Sequence, residues 1–280
     1  MKISFIVLTY NRSDALLAVL GSLSEQCDER HEVLIADDGS RPEQVKLMFD
    51  QCPAFKCPVY HVWQPDTGFT AARSRNMAAA RATGDYLIFL DGDCIPNKGF
   101  VAEHTRLAEK NCFVNGSRVL LSKNLTRQVS EGKISLPRCS AAFWISARLR
   151  GDCNKLLHLL PWPGRLFRVK QRFYWRGIRS CNFGIWKNDF VAVNGFDEVF
   201  SGWGHEDADL VLRLSHFGIL RKNGFMATEV FHLWHPENKR DHESRNKKLV
   251  LQRLTTNMTL AQCGLRELDP ASPVKISRLH

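Results

Sequence analysis

The sequence of this chain predicts an α/β fold: a mostly parallel, doubly wound central sheet flanked by helices, with an irregular basic insertion. Two observations lead to this prediction. Apolar, β-branched runs alternate with helical stretches four times in the first third of the chain, and polar or acidic residues follow three of the four runs directly. Strands that are buried on both faces and joined by helices are typical of parallel sheets, which bind ligands at the carboxyl ends of their strands.

The first third supplies four predicted strands and three helices. Each strand is a continuous apolar run, and Ser13 or Asp14 can cap the first helix. In chain order we predict strand Ile3–Thr9, a helix that ends near Gln26, strand Glu32–Asp37, helix Pro42–Asp50, strand Pro58–Trp63, helix Thr70–Ala82 and strand Tyr86–Leu90.

The alternation is less regular in the rest of the chain. Residues 122–180 are expected to be irregular. The predicted elements are helix Asn97–Lys110, strands Cys112–Leu121 and Asn182–Trp186, helix Glu206–Phe217, short strands Ile219–Phe225 and Thr228–His232, and helix Lys247–Ala261. We interpret residues 1–265 as one domain with halves 1–95 and 96–236, followed by a polar tail, 266–280.

The segment 148–179 is basic. It holds nine Lys or Arg against one acid, Asp152, and Leu, Phe and Trp residues lie between them. One interpretation is contact with an anionic membrane, in which apolar groups enter the interface while basic side chains meet headgroups. Under that interpretation Trp162 and Trp175 lie in the segment as interfacial aromatics, and reversing the charge of four of its nine cations should abolish membrane binding; the four are Arg165, Arg168, Lys170 and Arg172. The alternative is an ordinary packed segment with a solvated basic face.

Composition excludes several classes of protein. Of the 280 residues, 44% are hydrophobic and 24% charged, which is typical of a globular domain and argues against disorder. The 39 Lys and Arg outnumber the 29 Asp and Glu by ten, which indicates an anionic partner. Nucleic acid is disfavoured as that partner because the basic segment follows no recognised motif. No apolar run approaches the roughly 18 residues of a membrane-spanning helix.

Cysteine usage and the amino terminus indicate the compartment. Nine cysteines are scattered with no Cys-x-x-Cys spacing, which favours reduced thiols and argues against a cysteine zinc site. The amino-terminal apolar run leads into Tyr10-Asn11-Arg12 with no cleavage site, so we expect no secretory signal. The expectation is a cytoplasmic protein with peripheral contact to the inner face of an anionic membrane.

Polar residues at the predicted strand ends point to a ligand site. Thr9-Tyr10-Asn11 follows the first strand, Asp38 the second and Asp91-Gly92-Asp93 the fourth. Two carboxylates on one glycine-containing turn can hold a hard divalent cation, although acids and glycine also favour ordinary solvated turns. No Gly-x-Gly-x-x-Gly or Gly-x-x-x-x-Gly-Lys-Ser/Thr loop is present. Any phosphate bound here would therefore be neutralised by a metal rather than by a glycine-rich loop.

These residues together resemble family 2 glycosyltransferases with the GT-A fold. The resemblance rests on four motifs in the family's order, which are Ser4 to Arg12, Ala36-Asp37-Asp38-Gly39-Ser40, Gly68 with Arg75-Asn76, and Asp91-Gly92-Asp93. In the second half, Asn182-Phe183 and Val193 to Glu198 are similar to the family's acceptor-side segment. The run from Gly202 to Asp209 resembles the Trp-Gly-x-Glu-Asp segment of galactosyltransferases and chondroitin-polymerase-type domains.

The resemblance implies a UDP-sugar donor bound by the half 1–95. Thr9, Tyr10 and Asp38 would hold the uracil, Arg75 would reach the diphosphate or uracil side, and Asp91 would contact ribose or sugar. Asn11 and Gly92 complete the predicted donor site. Asp93 would bind Mn²⁺ or Mg²⁺ together with a late ligand, either His232 or His235. The histidines could equally be solvated loop residues.

The resemblance places the chemistry at Glu206-Asp207. An inverting transfer needs a base for the acceptor hydroxyl, and the family pattern puts that base at Asp207 and an acceptor contact at Glu206. First-turn acids also stabilise a helix without any catalysis, and Asp209 is expected to do only that. The remaining predicted acceptor residues are Asn182, Trp203 and Gly204.

The function predicted from the sequence is a metal-dependent, inverting glycosyltransferase. Its acceptor would be a hydroxyl of a bacterial surface glycan or glycolipid, such as lipopolysaccharide core or capsule. Two alternatives stay open: a non-catalytic sugar- or membrane-binding module on the same scaffold, and a nucleotidyltransferase, which would lack the Gly-Trp-Gly-x-Glu-Asp segment.

Overall fold

The computed structural model describes residues 1–162, 164, 167–170, 173–174, 177–236, 243–269 and 274–279. The predicted positions Arg165, Arg172 and Trp175 lie outside them. The strands are β1 Ile3–Thr9, β2 His31–Asp37, β3 Val59–Trp63, β4 Tyr86–Asp91, β5 Cys94–Pro96, β6 Cys112–Asn115, β7 Ser117–Leu120, β8 Val169–Lys170, β9 Asn182–Trp186, β10 Leu220–Asn223, β11 Glu229–His232 and β12 Lys275–Arg278. The helices are α1 Ser13–Ser24, α2 Pro42–Gln51, α3 Ala71–Arg81, α4 Phe100–Leu107, α5 Lys123–Ser130, α6 Ala141–Leu149, α7 Lys187–Ala192, α8 Glu206–His216 and α9 Glu243–Arg253.

Within the described residues, the strands form a nine-stranded sheet in the order β12-β3-β2-β1-β4-β9-β6-β10-β8 and a small sheet in the order β5-β11-β7. The run β3-β2-β1-β4 is parallel, as predicted. Strand β9 lies antiparallel between β4 and β6, so the second half of the large sheet is mixed. No described helix has the length and apolar character needed to cross a membrane.

Helices cover both faces of the sheet because successive strand residues point to opposite sides. On β1, Phe5 and Val7 join a cluster with α1 and Trp144, while Ile6 joins a second cluster with α3 and α8. Every residue of β2 is buried, which explains why its sequence shows no alternation. The doubly wound α/β architecture predicted from the sequence is therefore confirmed.

The parallel register brings the predicted site residues to one edge. Thr9 pairs with Asp37 across β1 and β2, and Leu8 pairs with Asp91 across β1 and β4. Because these strands run in the same direction, the residues after their carboxyl ends, including Tyr10, Asp38 and Asp93, meet at the same edge.

Two predictions for the region after residue 110 are wrong. The single strand Cys112–Leu121 is two strands, β6 and β7, in different sheets. The break falls at Gly116, where a Cβ would lie 2.1 Å from the Asn182 side chain. Residues 122–180 are not wholly irregular, since they include α5 and α6, whose first turns are capped by the hydroxyls of Ser122 and Ser140.

Other predicted bounds shift at their ends. Helix α4 is shorter than Asn97–Lys110, and α9 begins four residues before Lys247 and ends well before Ala261. The polar tail contributes β12, which pairs antiparallel with β3 at the edge of the large sheet. The division into halves 1–95 and 96–236 stays a proposal.

Among the described cations of the basic segment, Arg168 cannot meet a headgroup. Arg168 is 5% exposed. Its guanidinium donates to the carbonyls of Trp162, Gly164, Asn223 and Phe225 at 2.6 to 2.9 Å. The interpretation of Arg168 as a membrane contact is therefore wrong, because its charge is used to hold the segment to the turn after β10.

Candidate active site

The loops after β1 and β2 are fixed to each other. Asn11 donates its N–H to Ser40 Oγ at 2.8 Å, and its Oδ1 accepts from the Arg41 N–H at 2.9 Å. Tyr10, by contrast, is half exposed, and its hydroxyl donates to Asp66 at 2.8 Å. The aromatic ring is thus presented at the strand edge, while Asn11 shapes the loop beneath it.

Asp38 is buried and holds the start of α3. Its carboxylate accepts from the Thr70 N–H at 2.9 Å, the Thr70 hydroxyl at 2.5 Å and Gln64 Nε2 at 2.7 Å. Burial raises the pKa of Asp38, against the lowering effect of these hydrogen bonds. The adjacent Gly39 has a φ of 97°, and a Cβ there would lie 2.5 Å from the backbone of Asp66. Only glycine suits this position.

Arg75 joins the two halves of the site. It is 2% exposed, and its guanidinium contacts Asp91 Oδ1 at 2.8 Å and Glu206 Oε1 at 3.3 Å. Burial alone would lower the pKa of Arg75, but the two carboxylates outweigh it and raise the pKa. Its charge and its two terminal nitrogens are thus engaged by carboxylates, while its Nε is buried without a hydrogen-bond partner. Any contact between Arg75 and a nucleotide-sugar would have to be made beside these ion pairs.

Asn76, the next residue of α3, connects two of the motifs identified in the sequence. Its amide donates to the Phe196 carbonyl at 2.8 Å and accepts from the Phe196 N–H at 2.9 Å. The Arg75 guanidinium lies 5.3 Å from the centroid of the Phe196 ring. The segment from Val193 to Glu198 therefore packs against α3 and helps to position Arg75.

Asp93 meets both candidate histidines. His235 Nε2 lies 3.4 Å from Asp93 Oδ2, and His232 Nε2 lies 3.8 Å from Asp93 Oδ1. The two imidazole rings are 5.2 Å apart. The backbone carbonyl of Asp93 accepts from the Leu233 N–H at 2.9 Å, and the Gly92 N–H closes the turn onto the Leu8 carbonyl at 2.6 Å. Residues 139 or more positions apart in the chain are therefore held together by β5 and β11.

The chemistry of this group fits a divalent cation. A carboxylate and two imidazoles are ligands that Mn²⁺ and similar ions accept. Burial lowers the pKa of His232, which keeps its imidazole neutral and its lone pair available for a metal. Cys94 Sγ lies 3.6 Å from Asp93 Oδ1, and the ligand atoms of Asp93, Cys94 and His232 lie within 4.8 Å of one another. Burial raises the pKa of the Cys94 thiol, which disfavours the thiolate that would bind a metal.

Asp207 has the environment of a general base. Burial, reinforced by the neighbouring Glu206 carboxylate, raises the pKa of Asp207 to about 7. Its oxygens accept from the Ala208 N–H at 2.7 Å and the Ser180 N–H at 3.3 Å. A carboxylate with a pKa near neutrality can take up a proton at physiological pH, as a base requires.

The predicted acceptor residues differ in their placement. Trp203 and Gly204 are half-buried in the turn before α8, and Asn246 of α9 donates to the carbonyls of Ser201 and Gly204 at 3.2 and 2.9 Å. Asn182 is 1% exposed. Its amide donates to the carbonyls of Ser117 and Thr228 and accepts from His104. A direct contact between Asn182 and an acceptor would require this packing to open.

Sequence reasoning missed two cations near the site. Arg253 of α9 contacts Asp209 Oδ1 at 2.5 Å and Asp197 Oδ2 at 2.9 Å, all three buried. Asp209, expected only to stabilise a helix terminus, also pairs with Arg213 at 2.8 Å. Arg118 of β7 acts electrostatically on both Asp91 and His232. No sequence motif marks either arginine, because each partner lies far away in the chain.

The sequence has recognisable relatives. Residues 4–178 match the family described as Glycosyl transferase family 2, and residues 166–235 match the N-terminal domain of galactosyltransferase. Validoxylamine A glucosyltransferase from Streptomyces hygroscopicus subsp. jinggangensis is 26% identical over 255 residues, which are 89% of this chain and 58% of that protein. Hyaluronan synthase from Pasteurella multocida is 28% identical over 260 residues, 86% of this chain and 26% of that protein. The chain thus spans less than two thirds of either relative.

Solved structures share the fold. S. aureus TarS 1–349 in complex with UDP has a TM-score of 0.60 and 14% identity, covering 95% of this chain and 68% of that one. GalNAc-T7 with UDP, GalNAc and Mn²⁺ has a TM-score of 0.60 and 13% identity, covering 90% and 48%. These likenesses show a GT-A fold, and the match to residues 4–178 covers more than half of the chain. The chain therefore belongs to glycosyl transferase family 2.

Proposed function

We propose that this chain is a metal-dependent, inverting glycosyltransferase that moves a sugar from a UDP-sugar to an acceptor hydroxyl. One observation carries the proposal. The ion pairs of Arg75 with Asp91 and Glu206 connect the end of β4, which leads into Asp93, to the start of α8, where Asp207 lies. Asp93, which would bind the metal, and Asp207, which would act as the base and has a raised pKa, are thereby connected through one buried cation.

Asp207 would act on the acceptor. Inversion requires the acceptor oxygen to attack the anomeric carbon as the bond to the diphosphate breaks, and the hydroxyl proton must leave. The Asp207 carboxylate accepts that proton, and the displaced diphosphate takes the bonding electrons with it. The pKa of Asp207, raised by burial and by Glu206, suits this transfer near neutral pH.

Asp93, His232 and His235 would hold Mn²⁺ or Mg²⁺. The cation would neutralise the charge that develops on the leaving diphosphate. Tyr10, at the strand edge, would face the uracil. Asp38 would contact the uracil as well, and its hydrogen bonds with Thr70 and Gln64 fix the position of its carboxylate.

We infer the classes of donor and acceptor from related sequences and from solved structures with the same fold. TarS has been solved with UDP-GlcNAc, with a TM-score of 0.59 to this chain, and hyaluronan and chondroitin synthases of Pasteurella multocida are among the relatives. They support a UDP-sugar donor and a glycan or glycolipid acceptor. With the +10 net charge, we propose an anionic bacterial surface glycan made at the cytoplasmic face of the membrane.

A donor screen tests the proposal. Purified protein is incubated with a panel of UDP-sugars in Mn²⁺, in Mg²⁺ and after chelation, and UDP release is measured. We expect release from one or two UDP-sugars, lost on chelation and in the Asp93→Ala variant, which should also bind UDP weakly in Mn²⁺ by calorimetry. UDP binding without release from any donor would instead support a binding module, and unchanged UDP affinity in Asp93→Ala would remove that residue from the metal site.

A further inference from the structure

A cavity of about 650 Å³ lies beside the metal-binding group, between the start of α1, helix α5 and the segment after β11. His235 belongs to both: it lines the cavity, and its Nε2 lies 3.4 Å from Asp93. Among the described residues that line the cavity, His235 is the only one that we propose to contact the donor or the metal. The cavity therefore adjoins the metal-binding group, with His235 as the residue they share.

The wall of the cavity has an excess of positive charge. Arg12, Lys123 and Arg127 line it against one described acid, Asp14. That carboxylate is already engaged by Arg12 Nε at 3.2 Å and by Ser130 Oγ at 3.1 Å. In the part of the chain that the structure describes, neither Lys123 nor Arg127 forms an ion pair with a carboxylate. Both side chains are exposed, so their charges are available to a ligand.

An indole lies beside these cations. Trp234 is 39% exposed, and Lys123 Nζ lies 5.2 Å from the centroid of its ring. The backbone N–H of Trp234 donates to Thr126 Oγ1 at 2.8 Å, which fixes the residue against α5. A broad apolar ring next to a free ammonium group suits a ligand that has both a C–H face and a negative charge.

The size of the cavity argues for a ring rather than a small ion. Pockets for small-molecule ligands typically occupy about 300–1,000 Å³, and a lone phosphate would leave most of this volume empty. None of the described side chains proposed to contact the uracil, ribose or diphosphate lines the cavity, which favours a ligand other than the donor.

We propose that the cavity bounded by Lys123, Arg127 and Trp234 is a subsite for an anionic sugar residue of the acceptor, a uronate or a sugar phosphate. The Trp234 indole packs against the ring, and the two cations bind the carboxylate or phosphate. The assignment to the acceptor rests on the proposed glycosyltransferase function, whereas binding of an anionic sugar can be measured without it.

The test uses the full chain with Mn²⁺ and saturating UDP, so that the donor site is filled. Glucuronic acid, glucose 1-phosphate, glucose and inorganic phosphate are titrated by ligand-observed NMR. The two anionic sugars should bind at least about tenfold more tightly than glucose, the ratio expected for one charge-assisted hydrogen bond. Raised salt should reduce that difference. Lys123→Ala and Arg127→Ala should each reduce it, and Lys123→Arg should retain it.

Matched controls come from the opposite edge of the sheet. Lys56 and Arg30 are exposed and precede β3 and β2, so Lys56→Ala and Arg30→Ala should leave all four titrations unchanged. Trp234→Ala should weaken the binding of glucose 1-phosphate more than that of inorganic phosphate, because only the former has a ring.

Three results would overturn the proposal. They are equal binding of glucose and the anionic sugars, inorganic phosphate binding as tightly as glucose 1-phosphate, and a fall in UDP affinity in Lys123→Ala that matches its loss of sugar binding. The last would assign the cavity to the donor. Should the wild type fail to bind UDP, the proposed function fails, and the same titrations without UDP still test the cavity.

Discussion

At the scale of single residues, Asp207 is the group whose chemistry the structure defines best. Its pKa is raised to about 7 by burial and by the Glu206 carboxylate. A base must be deprotonated to work, so the rate should increase with pH up to about 7 and then level off. Replacing Glu206 by Gln removes the second cause of the shift, so the Glu206→Gln variant should show its midpoint at lower pH. A midpoint that moves up or stays fixed would contradict the coupling of the two carboxylates.

Substitution of Asp207 itself tests the base directly. Asp207→Asn keeps the shape of the side chain but cannot take a proton, so turnover should fall by at least about 10²-fold, the usual size of acid–base catalysis. UDP affinity in Mn²⁺, measured by calorimetry, should be preserved because Asp207 contacts α8 and Ser180 rather than the metal-binding group. Near-normal turnover would remove Asp207 from the mechanism.

The two histidines beside Asp93 can be separated by their metal requirement. His235 Nε2 is the nearer to the Asp93 carboxylate, at 3.4 Å against 3.8 Å for His232. We expect His235→Ala to lower the Mn²⁺ affinity of the UDP complex by at least about tenfold, a loss seen even for residues that only support a ligand, and His232→Ala to lower it less. Calorimetric Mn²⁺ titrations provide the measurement. Equal and mild effects would mean that neither imidazole binds the metal.

Which of these residues the sequence could identify depends on their distance along the chain. Asp38, Asp91 and Asp93 follow apolar runs, so their place at the strand ends could be predicted from local pattern alone. The contact of Arg75 with Glu206 spans 131 positions, and nothing local encodes it. Asn182 matched a family motif, yet its side chain is used to hold strands together.

At the scale of elements, α9 holds in place the turn that precedes α8. Asn246 binds the carbonyls on either side of Gly202 and Trp203, and Arg253 pairs with Asp209 one turn of helix from Glu206. Residues of α9 thereby fix both the turn and the first part of α8 without contacting Asp207. Sequence reasoning placed this helix four residues too late at its start and so gave Asn246 no role.

The buried pairs of Arg253 predict a large loss of stability when the cation is removed. Arg253→Met leaves Asp197 without its pairing cation and Asp209 with Arg213 alone, in a site where both carboxylates are fully buried. Breaking a buried pair in this way costs about 3–5 kcal/mol. Urea unfolding should show this loss, and Lys248→Met, at an exposed position of the same helix, should change stability by less than about 0.5 kcal/mol. Equal stability of the two variants would show that the pairs are not stabilising.

The bounds of buried strands were predicted more accurately than those of exposed strands. Strands β1 to β4 were predicted within one residue at each end because they are buried on both faces and therefore read as continuous apolar runs. Strand β12, with the sequence Lys-Ile-Ser-Arg, lies mostly exposed at the sheet edge. Its pairing with β3 depends on a partner more than 200 residues away, which no local pattern can encode.

At the scale of the whole molecule, charge and exposed apolar groups coincide in one stretch of the chain. The net charge is +10, and nine Lys or Arg fall in residues 148–179. In and just before that segment the structure exposes several large apolar side chains, which are Ile145, Leu149, Leu160, Trp162, Phe167 and Tyr174. Since Arg168 is buried, a membrane contact would depend on these apolar groups together with the exposed cations, such as Arg148 and Lys170.

This arrangement predicts that the protein binds vesicles containing anionic lipid at low salt and leaves them at high salt. Each basic residue near such a surface contributes about 1 kcal/mol at most, and salt screens it. Leu149 and Phe167 are 84% and 90% exposed, so Leu149→Asp with Phe167→Asp should abolish sedimentation with vesicles and leave UDP affinity intact. Phe217→Asp, at an exposed position after α8, is the matched control and should still sediment. If the wild type never sediments, or the double variant still does, the membrane interpretation is wrong and the segment packs as an ordinary basic surface.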